Sequence, residues 1–137
     1  MVLRWGMRSS LETMDFKLRI RTAETPQGQK LAIVPLEGRF DAKAASEVRQ
    51  LLQQVLDFGY PNMLIDMSSV TFMDSSGLGV LISALRKCRA AGGNISLCCV
   101  PESVALVLNL TSMEKVLTCF SDLETGIANF SSAPTAR

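Results

Sequence analysis

The chain has 137 residues, 47% of them hydrophobic and 20% charged, with a formal net charge of +1 and no histidine. That length and balance fit one globular domain with an ordinary core, and argue against a disordered chain or a strongly basic nucleic-acid binder. Without histidine there is no Ser-His-Asp triad, no imidazole base and no His-ligated catalytic zinc, and no Gly-rich nucleotide-binding motif is present either.

Residues 1–13 show no period and read as a mobile N-terminal extension. They lack the sustained apolar stretch of a secretory signal, and no run approaches the ~20 apolar residues of a membrane-spanning helix, so a soluble cytoplasmic protein is expected. Phe16, Leu18 and Ile20 alternate with Lys17, Arg19 and Arg21, which predicts a half-exposed strand. Pro26-Gln27-Gly28-Gln29 is a turn into a second strand over Leu31–Leu36, where Pro35 cannot donate to a ladder and demands a bulge or a free side. Gly38-Arg39-Phe40-Asp41 leads into a first helix with Asp41 as N-cap and Val48, Leu51, Leu52, Val55 and Leu56 as its apolar face; Gly59-Tyr60-Pro61 ends it. A third strand covers Met63–Met67. The second helix displays Leu78, Leu81, Ile82 and Leu85, carries Arg86, Lys87 and Arg89 toward its negative end, and stops at Gly92-Gly93. Ile95–Val100 is a fourth strand, a third helix runs from Pro101-Glu102-Ser103 to Leu110, and a last one spans Leu123–Phe130. The domain is placed at 14–131, with 132–137 as a tail. Alternating helices and strands after an opening hairpin predict an α/β fold with a mixed sheet and right-handed crossovers.

Cys88, Cys98, Cys99 and Cys119 show no CxxC spacing and read as small buried hydrophobes in a reducing compartment, so no metal and no cofactor is expected. The residues that suggest a function lie between the third strand and the second helix: Phe72-Met73-Asp74-Ser75-Ser76-Gly77-Leu78-Gly79-Val80. Here two hydroxyls meet the unsatisfied N–H groups and the positive end of a helix, a position that suits either a cap or a phosphate acceptor. The context is not the Gly-x-Ser-x-Gly of a nucleophile elbow. Gly77 and Gly79 are expected to let the helix start approach the sheet closely.

This nine-residue run resembles the signature of bacterial anti-sigma-factor antagonists, small single-domain members of the STAS family. Gly38 and Asp41 resemble that family's turn before helix one, and Gly92-Gly93 its glycine pair; the resemblance runs from Phe16 to Phe130. It implies the STAS fold, a small mixed sheet of about four to five strands with about four packed helices. It also implies a phospho-switched, partner-switching module for protein binding, not an enzyme. Unphosphorylated, such a protein binds an anti-sigma factor that is also a serine kinase of the histidine-kinase-like ATPase type, and so releases the sigma factor. Phosphorylation ends that binding and a PP2C-type phosphatase restores it. By this resemblance Ser75 is the phosphate acceptor and Ser76 the cap, while Asp74, Ser76, Gly77, Leu78, Gly79 and Asp41 meet the partner. A homodimer stays open. The alternative within the family is a module for scaffolding or small-ligand sensing in which Ser75 is only structural.

Two positions depart from the family pattern. Arg39 stands where a glutamate is usual, which reverses a charge beside helix one. The third helix reads Val104-Ala105-Leu106-Val107-Leu108 where familiar members carry basic residues at 105 and 106. An apolar run that wraps a helix cannot all face one core, which predicts either a helix more buried than usual or a hydrophobic contact patch with Ala105 and Leu106 as its candidates.

Overall fold

The apolar runs of the central strands are continuous because they are covered on both faces, as parallel strands usually are. Leu31–Val34, Met63–Ile65 and Asn94–Cys98 are all buried in the computed structural model, which describes residues 20–132. The expected extension at 1–13, the start of the first strand at Phe16 and Leu18, and the tail beyond Ser132 lie outside the described residues. The described elements are β1 (Arg21–Glu24), β2 (Lys30–Phe40), α1 (Ala42–Asp57), β3 (Asn62–Met73), α2 (Ser75–Ala90), β4 (Asn94–Cys98), α3 (Glu102–Leu110), a 3-10 turn (Met113–Lys115), β5 (Thr118–Phe120) and α4 (Leu123–Asn129).

The five strands lie in sequence order, β1-β2-β3-β4-β5. The β1–β2 hairpin is antiparallel and the three later pairings are parallel. Right-handed crossovers that always step the same way stack their helices on one face. The main core accordingly joins Ala32, Val34, Met63, Ile65, Ile95 and Leu97 of the strands to Leu51, Leu52 and Val55 of α1, Leu81 and Leu85 of α2, and Val104 and Leu108 of α3. The alternate side chains Leu31, Leu64 and Cys98 point the other way, where Phe130 and α4's Leu123 and Ile127 cover them.

β2 and β3 run further than their hydrophobic patterns indicate. Their pairing continues to Phe40↔Met73, across irregularities between Pro35 and Glu37 and between Gly38 and Arg39. The first irregularity follows Pro35, which has no donor for the ladder, but its extra residue lies on β3, where Met67 and Ser68 oppose Leu36. β4 is shorter than expected, because Cys99 leaves the strand at φ +58. β5 and the 3-10 turn were not anticipated: Thr118-Cys119-Phe120 is too short to show a period and joins the sheet by pairing with β4. α2 ends as its glycine pair suggests. Gly92, at φ +88, donates to Arg89 O and Gly93 to Cys88 O, which together close a Schellman turn.

Candidate functional site at the paired strand-to-helix junctions

β2 and β3 are parallel neighbours, and each delivers the chain directly into a helix, so α1 and α2 begin side by side beyond the C-terminal ends of these two strands. Both helices start the same way. Asp41 Oδ1 accepts from Lys43 N at 3.1 Å and Ala44 N at 3.3 Å, and Asp74 Oδ1 accepts from Ser76 N at 2.9 Å and Gly77 N at 3.3 Å. Asp74 N donates to Phe40 O at 3.4 Å, which ties the two junctions together. The Asp41 carboxyl titrates below the ordinary aspartate range, chiefly through the Ala44 N–H and further through Arg39 and the Lys43 N–H. Arg39 Nε stands 3.4 Å from Asp41 Oδ2, and its guanidinium lies 4.2 Å from the centre of the Phe72 ring. The Arg39 cation thus rests on the end of β3, beside the junction.

Asp74 is the N-cap of α2, which corrects the expectation that Ser76 caps it. Aspartate and serine are equally good N-caps, so the reasoning that identifies Asp41 applies to Asp74 as well. Ser75 is the first helical residue and exposed; its Oγ has no hydrogen-bond partner among the described residues. Ser76 is half-buried. Gly77 is pressed against β2: a Cβ there would fall 2.5 Å from Phe40 O and 2.9 Å from Met73 Cγ. Gly79 differs, since a Cβ there would meet nothing within 4 Å, so it is not part of a close approach. Gly77 and Leu78, expected as partner contacts, are buried and shape the junction from inside, whereas Ser75 and Gly79 face outward and Asp41 and Asp74 are half-buried.

Leu106 stands on a separate element, α3, and is 57% exposed. Leu110, one turn further on, is 76% exposed and was not singled out from the sequence, although the i, i+4 spacing from Leu106 could have shown it. Val104 and Leu108 face the core, with Ala105 and Val107 half-buried between.

Of the four cysteines, Cys88 and Cys98 are buried as expected, but Cys99 is only half-buried and Cys119 is exposed. Burial pushes the Cys88 thiol up to about 12, which leaves it unreactive at neutral pH. Cys98 is also raised to about 12, by burial first and then by Cys99 and the carboxylates of Asp66 and Asp122. The cleft between α1 and α2, lined by Leu52, Leu56, Val80 and Cys88, holds about 10 Å³. That is far below the several hundred Å³ of a small-molecule site. Among the described residues, no helix is long and apolar enough to cross a membrane.

The sequence model of the STAS domain matches residues 22–126. The anti-sigma F factor antagonist of Paenibacillus polymyxa is 25% identical over 91 residues, covering 66% of this chain and 78% of that protein. The anti-sigma-B factor antagonist of Bacillus subtilis is 24% identical over 94 residues, covering 69% of this chain and 85% of that protein. Among solved structures, the anti-sigma factor antagonist SpoIIAA in its unphosphorylated form superposes with a TM-score of 0.63 at 22% identity, covering 80% of this chain and 90% of that one. The five-stranded mixed sheet and the four helices are the fold of that protein.

Proposed function

The chain belongs to the STAS domain family, and from that premise we propose that it is an anti-sigma-factor antagonist switched by phosphorylation of Ser75. In this reading the unmodified protein works in the cytoplasm, where it binds an anti-sigma factor that is also a serine kinase of the histidine-kinase-like ATPase type. A PP2C-type phosphatase resets the switch. The observation that carries the proposal is Ser75 itself: an exposed hydroxyl with no hydrogen-bond partner among the described residues, on the first residue of α2, beside a carboxylate already engaged as the cap. No base hydrogen-bonds its Oγ among the described residues, which favours modification over nucleophilic catalysis.

The capping pattern also determines how phosphate would act. Asp74 already occupies the Ser76 and Gly77 N–H groups, so the added group gains little from them. A helix N-terminus stabilises an exposed anion by about 0.3–1 kcal/mol. Against that, a phosphate of roughly −1.5 to −2 charge at about 6 Å from the Asp74 carboxylate costs about 1 to 1.4 kcal/mol in water. The two effects nearly cancel, so the fold persists and the change falls on the interface. A partner surface fitted to a neutral hydroxyl would meet a bulkier, strongly anionic patch, and a loss of about 3 kcal/mol there is roughly a hundredfold in affinity.

The test is to incubate the protein with ATP and the kinase-type anti-sigma factor encoded nearest its gene, then locate the phosphate by mass spectrometry. Ser75→Ala abolishes labelling and Ser76→Ala leaves most of it; the reverse pattern overturns the assignment. A kinase that binds but never labels the chain favours the scaffolding alternative.

A further inference from the structure

On the sheet face opposite α1–α3, the middle of β3 and the end of β4 bring three side chains together. One carboxylate oxygen of Asp66 and the sulfurs of Cys98 and Cys99 all lie within 4.8 Å of one another. Asp66 and Cys98 are register partners across the β3–β4 ladder, so their side chains project from the same face. Strand alternation would send Cys99 to the other face. Instead Cys99 takes φ +58, and its sulfur returns to the side of Cys98. Its N–H donates to Phe120 O at 3.1 Å, which anchors the bend against β5. Left-handed backbone is uncommon in a residue other than glycine, and here it is what joins two adjacent thiols into one donor pair.

We propose that Asp66, Cys98 and Cys99 form a binding site for a thiophilic divalent cation of the zinc type. Two sulfurs and one carboxylate oxygen are a borderline-soft donor set suited to tetrahedral zinc. Zinc holds sulfur at about 2.3 Å and carboxylate oxygen at about 2.0–2.2 Å, so the three donors need to close in by only roughly 1 Å. Cys98 is fully buried while Asp66 and Cys99 are half-buried, which leaves an open side for water as the fourth ligand. Asp66 Oδ1 accepts from Ser68 N at 3.0 Å, an outer bond that orients the carboxylate and leaves Oδ2 for a cation. Binding converts both thiols to thiolates and releases their protons to solvent. Histidine is not required for this donor set, which is why its absence from the sequence does not exclude it.

The experiment is a titration of the reduced full chain with Co²⁺, followed by displacement with Zn²⁺. Expected are a thiolate-to-cobalt charge-transfer band, tetrahedral d–d absorption and a single ion per chain. Cys99→Ser and Asp66→Asn should each weaken binding by more than about tenfold while circular dichroism shows the fold retained, because both side chains are only half-buried. Cys119→Ser should leave the spectrum unchanged. Absence of the charge-transfer band in the wild type overturns the proposal. So does binding that survives both ligand substitutions, or that disappears with Cys119.

Discussion

Replacing Gly77 by alanine sets a methyl carbon 2.5 Å from Phe40 O and 2.9 Å from both Met73 Cγ and Phe40 Cγ. Ordinary contact of a Cβ begins at about 3.4 Å, so one partner must move by roughly 0.9 Å, and the nearest is backbone that cannot rotate away. Overpacking of this kind typically costs about 1–3 kcal/mol. A backbone atom at 2.5 Å places the cost in the upper part of that range, about 2–3 kcal/mol, and alanine recovers about 1 kcal/mol of helix propensity, leaving a net loss of about 1–2 kcal/mol. For a chain of this size each kcal/mol moves Tm by roughly 3–5 °C, so Gly77→Ala should melt about 3–10 °C lower. Gly79 supplies the matched control, two residues further along the same helix. A Cβ there meets nothing within 4 Å, so Gly79→Ala should gain about 0.5–1 kcal/mol and melt a few degrees higher. Thermal unfolding of both variants under one buffer decides the matter. Equal shifts in the same direction, or an unchanged Gly77→Ala, would refute the close approach of α2 to β2.

Removing the cap by Asp74→Ala should cost about 0.5–2 kcal/mol, whereas Ser76→Ala should stay within about 0.5 kcal/mol; chemical denaturation distinguishes them, and the opposite ranking would return the cap to Ser76. Asp41 titrates below its unfolded value of 3.8, so its contribution to stability is fully present above that pH and is lost as pH falls through the lower folded value. The difference in melting temperature between wild type and Asp41→Ala should therefore shrink in acid, and a gap that widens below pH 3.8 would contradict the hydrogen-bonding account. Leu106→Lys should leave stability within about 0.5 kcal/mol and weaken partner binding or self-association, while Leu108→Ala, from the buried side of the same helix, should cost about 2–5 kcal/mol. A large fall in Tm for Leu106→Lys would place that side chain in the core.

Where the sequence reading held, local chemistry and tertiary context agreed. The four helices appear because each combines an apolar face with a start or stop signal, such as Asp41 before α1 or Gly92 after α2. It fell short where pairing partners decide the outcome. Gly38 and Ser69 look like chain breaks, yet both lie within strands because β2 and β3 pair there, Gly38 with Val70 and Ser69 with Glu37. β5 has only Thr118, Cys119 and Phe120, and its place is set by β4, a neighbour that no local pattern reveals. At the junction, the nine-residue run marks the strand-to-helix turn that the structure shows, but it points to Ser76 as the cap where Asp74 holds that role. A run of Asp-Ser-Ser offers three good caps, and only the backbone geometry, with Asp74 extended at φ −115 and ψ −168, selects among them. The thiol pair was hidden for a related reason: alternation assigns Cys98 and Cys99 to opposite faces, and only the left-handed turn at Cys99 brings them together.

The same junction separates what is shared within the family from what can differ. Its shape depends on buried contacts, with Gly77 against Phe40 O and Asp74 N bonded to that same oxygen, so few residues are tolerated there. Its charge depends on exposed side chains that the fold leaves free to vary. Arg39 is 64% exposed, and its pairing with Asp41 is a surface contact of the sort worth about 0–1 kcal/mol, so the fold gains little from having a cation there. Rim charges of this kind act mainly on association rate and on the rejection of wrong partners. Arg39 therefore sets the charge presented beside the junction without changing how the junction is built. The likeness to relatives of 24–25% identity thus bears on how the junction is built more than on the charge it presents.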